Sequence, residues 1–167
     1  MTSKLTVTAP AGVPFIDSVR EFDAPRELVF RAWSQPDLLV RWLGPRRLRM
    51  TIDRWESNRD GGAYRYVWSG PGEFRLGLRG VYREIEPPVR LVYTEAFEES
   101  WYAGEALNTV TMSEQAGVTT VTMTSLFESQ EGRDMALRSG MEKGVAAGYD
   151  ALDAILAAHD VRTEAVR

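Results

Sequence analysis

Residues 23–45 read DAPRELVFRAWSQPDLLVRWLGP, two very short helical segments carrying Trp33 and Trp42. Asp23 is the expected N-cap, Pro25 falls in the first turn, and Glu27 sets a carboxylate at the positive end of the helix dipole. Leu28 with Ala32, and Val29 with Trp33, are pairs four residues apart that predict one apolar stripe. Gln35-Pro36 ends that helix, because the residue before a proline is driven out of the helical region. A second segment places Leu38, Leu39 and Trp42 on one side and stops at Gly44-Pro45, where glycine suits a left-handed cap and proline cannot continue a helix. Helices this short are unstable alone, so the sequence demands a surface beneath them.

That surface is predicted on both sides of the stretch. Upstream, residues 1–13 are rich in Thr, Ala, Gly and Pro and are expected as a flexible tail before a first strand from Phe15 to Phe22. Downstream the period is two: Leu48, Met50 and Ile52 share one face, and Tyr64, Tyr66 and Trp68 share another. Turn residues at 58–62, 69–72, 86–88 and 115–117 separate further strands over 73–85, 89–97, 107–114 and 118–127. In the last pair, Asn108, Val110 and Met112 share a face, as do Val121, Met123 and Ser125, while threonines fill the opposite faces. A sheet covered on one side reads this way.

The period then changes to that of a helix over 132–158, with Met141, Val145, Tyr149, Leu152 and Leu156 as its apolar stripe. Beside the stripe run Ala136, Gly140, Gly144 and Gly148 at four-residue spacing, and an interior helical glycine costs about 1 kcal/mol relative to alanine. Two reasons compete for that cost: close packing of the helix backbone on large side chains, or a groove left along the helix. The chain is expected to be α+β, with one domain over 14–160 and a C-terminal tail over 161–167.

Composition narrows the chemistry. The 167 residues are 44% hydrophobic and 26% charged with net charge −4, an ordinary single-core balance with no positive field to attract nucleic acid or an anionic membrane. With no cysteine there are no disulfides, thiolate nucleophiles or common zinc cages, which fits a cytoplasmic protein. The N-terminus lacks the apolar core of a signal peptide, and no segment reaches the length of a membrane span. The one histidine, His159, sits at the end of the last helix, where the helix dipole suffices to explain a cation. No metal site and no cofactor are expected, and neither a nucleophile triad nor a phosphate loop is present in the sequence.

The order of strand, two short helices, six antiparallel strands and long C-terminal helix comes with recognisable residues. REFDAPRELVFRAWSQPDLLVRWLGP, NRDGGAYRYVW, GVYREIEPPVRLVYTEAF, the TVTM and GVTTVTMTSLF hairpin and the final GYDALDAIL resemble bacterial proteins similar to the C-terminal domain of the activator of the 90-kDa heat-shock-protein ATPase. That family lies within the START-like, helix-grip superfamily of hydrophobic-ligand binders and polyketide cyclases. The resemblance spans residues 15–158 and implies a curved six- to seven-stranded antiparallel sheet wrapped around the long helix. It also implies a cavity between them, closed at one end by the short helices. Trp42 and Tyr149 fall where the family carries aromatics near the cavity edge; tryptophan is more usual at the second position.

Within that frame the candidate ligand-binding residues are Trp42, Tyr64, Tyr66, Trp68, Phe74, Tyr93, Trp101, Asn108, Met112, Met123, Ser125, Met141 and Tyr149. Rings line pockets while keeping a polar handle; for any single one ordinary core packing is the commoner explanation, and as a group some are expected to face the cavity. Asn108 and Ser125 stand out as polar residues on an apolar strand face, as anchors in a pocket or as solvated strand ends. Alternation alone leaves open whether Leu91, Tyr93, Glu95 and Phe97 face inward, or Val92, Thr94 and Ala96. An inward Glu95 is the one candidate catalytic acid, since burial raises a carboxyl pKa.

The loop over 98–107 carries Trp101-Tyr102 as a lid or as a ring tucked into the core. Arg41, Arg46, Arg47, Arg49 and Arg54 read as a solvated outer face before an anion patch. The expected function is binding of a small hydrophobic or aromatic molecule. A metal-free cyclase- or hydratase-like enzyme and a chaperone-partner domain are the alternatives, and a homodimer is compatible with either.

Overall fold

In the computed structural model, residues 3–45, 47–56, 59–99 and 104–166 are described, with side chains through residue 158. Eight strands form one antiparallel sheet: β1 (Thr6–Thr8), β2 (Phe15–Phe22), β3 (Arg49–Trp55), β4 (Ala63–Ser69), β5 (Arg75–Glu86), β6 (Arg90–Phe97), β7 (Ala106–Gln115) and β8 (Val118–Leu126), in the order β1-β2-β8-β7-β6-β5-β4-β3. Helices α1 (Arg26–Ser34) and α2 (Pro36–Leu39) follow β2, and α3 (Gln130–Arg138) and α4 (Met141–Val166) close the chain. The α+β, helix-grip architecture is as expected, with one strand more than the upper expectation.

Three differences have local causes. The tail expected over residues 1–13 contributes β1, whose Thr6 pairs with Val19 of β2, and the buried Arg133 of α3 donates to the Pro10 carbonyl, pinning the segment that follows. The helix expected over 132–158 is two helices: α3 starts at Gln130, where the Ser129 hydroxyl accepts from the Gly132 N–H at 3.0 Å, and Gly140 at φ +89° turns the chain before α4. α4 then runs to Val166, through the stretch expected as a tail. Asp23 is not the N-cap of α1: Pro25 holds that position with extended backbone and no side-chain cap, and its fixed φ presets the first turn.

The strands form because their alternation buries one face. Ile16, Ser18, Arg20 and Phe22 of β2 are all buried. In β7 and β8 the register sets Asn108 opposite Ser125, Val110 opposite Met123 and Met112 opposite Val121, so the two apolar faces coincide. Their two-residue turn has Ala116 at φ 55° and Gly117 at φ 79°, the pair of positive values that matches hairpin twist. The core runs from Phe22 through Val29 and Trp33 to Tyr149, Leu152 and Leu156, joining sheet, short helices and α4.

Arg20, buried to 1%, fastens β2 to α4 through Asp153 at 2.6 Å and Asp150 at 2.9 Å, with its guanidinium over the rings of Phe22 and Tyr149. On the outer face, Arg65 holds Glu98 with two contacts of 2.8 Å. Arg54 pairs with Glu56 there, and Arg47 and Arg49 are exposed, while Arg46 lies outside the described residues. No helix of the described residues is long and apolar enough to cross a membrane.

Candidate functional site

Trp33 of α1 and Trp42, just after α2, meet each other and α4. Trp33 and Trp42 have ring centroids 4.6 Å apart, and Tyr149 lies 5.7 Å from the first and 6.0 Å from the second. Trp42 donates its indole N–H to the Ala32 carbonyl at 3.0 Å, locking the segment after α2 onto the end of α1. Trp68 of β4 donates likewise to the Leu43 carbonyl at 3.2 Å. Only glycine fits at 44: its φ is +89°, and a Cβ there would lie 2.3 Å from the Trp68 indole nitrogen. Trp33 on α1 and Trp42, which lies beyond the end of α2 and not on it, thus form one wall of a hollow.

The hollow is a cavity of about 270 Å³ between the sheet and the α3–α4 corner. Its sheet side comes from β4, β5, β6 and β8, and its helix side from Ala136, Met141, Gly144, Val145 and Tyr149. The two explanations for the glycine line hold at different ends. A Cβ on Gly148 would lie 2.8 Å from the Trp42 carbonyl oxygen, which is close packing; a Cβ on Gly144 would meet nothing within 4 Å, which is open space.

Register settles the parity of β6. Tyr93 pairs with Asn108 and Glu95 with Ala106, and Tyr93, Glu95 and Phe97 all face the cavity. Glu95 is the one acidic or basic side chain among the described lining residues. Its partial exposure is to the cavity, and loss of hydration there pushes its carboxyl pKa up, with a hydrogen bond from the Asn108 amide opposing the rise. Asn108 in turn accepts from the Ser125 hydroxyl at 2.7 Å, so β8, β7 and β6 contribute one residue each to a polar relay ending at Glu95. Tyr93 accepts a hydrogen bond from Trp33 and directs its hydroxyl at the Met123 sulfur, 3.9 Å away. Burial raises the phenol pKa values of Tyr64, Tyr66 and Tyr93, and Glu95 adds to each, so these hydroxyls stay neutral.

Apart from Phe74 and Trp101, the residues selected from the sequence divide into three groups. Trp42, Trp68, Tyr93, Met123, Ser125, Met141 and Tyr149 line the cavity together with Glu95. Tyr64, Tyr66 and Met112 are core residues outside the lining. Tyr64 packs on Tyr66, Tyr82 and Tyr93 and donates to the Thr94 carbonyl at 2.5 Å, Tyr66 packs on Trp55 and Trp68, and Met112 faces Val121. Asn108 is fully buried behind Ser125 and acts through Glu95.

Phe74 is a correction: it lies in the turn before β5 and is 50% exposed, because the strand starts at Arg75 and not Glu73. Trp101 and Tyr102 lie outside the described residues, as does the His159 side chain. Sequence reasoning missed Trp33 and Leu78 as lining residues, although their parity or helical spacing relative to selected neighbours was available, while Phe97 lines the cavity as the inward reading of β6 expects. Among the described residues no group of three or more His, Asp or Glu side chains gathers to hold a metal.

Comparison with known proteins bears on this geometry. No curated protein matches the chain. A crystal structure from Rhodobacter sphaeroides is similar at 32% identity and a TM-score of 0.85, covering 93% of this chain and 99% of that one. A solution structure from Arthrobacter aurescens is similar at 28% identity and 0.82, covering 91% of each. At 19% identity the fold is shared with DynU16, from the dynemicin biosynthetic locus, with a TM-score of 0.63 over 86% of this chain and 47% of that one. The family model described as Activator of Hsp90 ATPase homolog 1-like protein matches residues 23–157, from the start of the short-helix stretch to the buried end of α4, and the chain belongs to that family.

Proposed function

We propose that the chain binds a small hydrophobic or aromatic molecule in the cavity between the sheet and α4. The observation carrying this reading is a preformed, mainly apolar cavity of about 270 Å³ with a short polar edge at Glu95 and Ser125. Its walls are rings held by their own hydrogen bonds, so little ordering is left to oppose binding. Burial of ligand apolar surface at about 25 cal/mol per Å² supplies affinity, and the polar edge fixes orientation. Native mass spectrometry of gently purified protein tests it. A stoichiometric apolar adduct is expected, retained from cells or taken up from a cell extract and identified after organic extraction. Bare protein under both conditions overturns the reading.

The position of Glu95 favours one second reading, a metal-free cyclase- or hydratase-like enzyme. A carboxyl whose pKa is raised inside a ring-walled cavity is suited to donate or remove a proton from a molecule held against it. Glu95→Gln then stops turnover of the extracted compound while sparing its binding. Turnover that survives the substitution excludes Glu95 as the acid.

A further inference from the structure

Hydrogen bonds inside the cavity wall restrict what the occupant must bring, and this inference rests on the cavity-binding reading above. The lining donors are already committed to the protein itself. Ser125 gives its hydroxyl proton to Asn108, and Asn108 gives an amide proton to Glu95. Trp42 and Trp68 donate to backbone carbonyls, Ser139 to the Ala136 carbonyl, and Tyr93 points its proton at the Met123 sulfur. Among the described lining residues the Tyr149 hydroxyl alone has no assigned acceptor, and it stands on α4 among the tryptophans.

What faces the interior from the sheet is therefore an acceptor edge: the carboxylate oxygens of Glu95 and the remaining lone pairs of the Ser125 hydroxyl. An acidic occupant would meet Glu95 with no lysine, arginine or histidine among the described lining residues to offset it. A basic occupant meets a carboxylate and the faces of several rings together, two features that both attract a desolvated cation. Charge complementarity and hydrogen-bond polarity thus select the same chemistry. We infer that the cavity takes a small aryl or alkyl amine, with its ammonium at Glu95 and its apolar body between β8, α4 and the tryptophans.

The ammonium also removes the isolation of the buried carboxylate, because an opposite charge at contact favours the ionised form. The contact is an ion pair, and no covalent bond to the ligand is made or broken. Asn108 is a positioning residue here, holding one carboxylate oxygen so that the other faces the cavity.

The test is isothermal titration calorimetry of the whole protein at neutral pH with three matched probes: 4-phenylbutylamine, 4-phenylbutanol and 4-phenylbutanoate. The amine is expected to bind about tenfold or more tighter than the alcohol, the scale of a hydrogen bond between charged groups. The acid is expected to bind weakest. Glu95→Gln, checked for folding by thermal unfolding, is expected to erase the preference for amine over alcohol. Alcohol or acid binding as tightly as amine in the wild-type protein overturns the inference and leaves the cavity reading standing, and this comparison needs no variant. A preference for amine that survives Glu95→Gln also overturns it. If none of the three binds, the inference falls, while the cavity reading stands or falls by the mass-spectrometric test.

Discussion

Adding one methyl group at each of two glycines four residues apart on α4 separates open space from close packing within a single helix. At Gly144 an alanine Cβ meets nothing within 4 Å, so Gly144→Ala should express only the reduced backbone freedom of the unfolded chain, about 0.5–1 kcal/mol of stabilisation. For a domain of this size 1 kcal/mol moves Tm by about 2–4 °C, so a rise of about 1–4 °C is expected. At Gly148 the same gain opposes a contact of 2.8 Å with the Trp42 carbonyl oxygen, a backbone atom that no rotamer change can move aside. Overpacking of this kind costs about 1–3 kcal/mol, so Gly148→Ala should lower stability by up to about 2 kcal/mol. Urea unfolding at 25 °C with thermal melts gives both signs, and effects on the unfolded state largely cancel in the comparison. Equal shifts, or a loss at 144 with a gain at 148, would refute the assignment of the cavity to the N-terminal end of α4.

Two further perturbations probe the charges. Burial raises the Glu95 pKa above its ordinary value of 4.5, so between that value and the raised one the native state holds a proton that the unfolded chain has released. Native stability therefore falls as pH rises through this window, and Tyr64, Tyr66 and Tyr93, with raised pKa values, remain neutral across it. Glu95→Gln lacks the titration, so its Tm advantage over wild type should be smallest near pH 4 and grow toward pH 8; an advantage that shrinks with pH contradicts the burial. At the β2–α4 fastening, Asp153 is 24% exposed and Asp150 is 70% exposed, with Arg20 buried between them. Asp153→Ala should cost about 2 kcal/mol and Asp150→Ala less than about 1 kcal/mol in urea unfolding; the reverse order would show that the exposed contact anchors the guanidinium.

Sequence periodicity made most of the architecture legible because a sheet buried on one face writes its burial into alternate residues. The pairing of Asn108 with Ser125 and of Val110 with Met123 follows from shared parity and a two-residue turn. Other features depend on contacts between distant segments. Thr6–Thr8 is a strand only because β2 offers an edge, and three residues among Gly, Ala and Pro carry no period of their own. Gly140, Gly144 and Gly148 look alike in sequence, yet one turns the chain, one borders the cavity and one packs on a backbone oxygen. Arg20 shares parity with Ile16 and Phe22, and Asp150 and Asp153 lie three apart on one helix face. The ion pair was thus available as a pattern but not as a pairing.

The orientation of Glu95 was undecidable from alternation, and the sheet itself settles it. The ladder between β5 and β6 pairs Arg79 with Ala96 and Tyr82 with Tyr93, but not the residues between them. There the strands are held by side chains. The Thr94 hydroxyl accepts the Val81 N–H at 2.9 Å, and the Tyr64 hydroxyl donates to the Thr94 carbonyl. Gly80 permits this, since a Cβ would lie 1.9 Å from the Thr94 carbonyl oxygen and 2.5 Å from the Tyr64 hydroxyl. The register shift lies farther along, between Tyr82 and Glu84; across the gap the register is the same on both sides, so β6 keeps its alternation through it. Here Thr94 and Tyr64 take over the hydrogen bonding at the interruption, and the next residue is the carboxyl that faces the cavity. Tyr64, selected as a pocket residue, therefore serves the site from behind, holding β6 next to the residue that faces the interior.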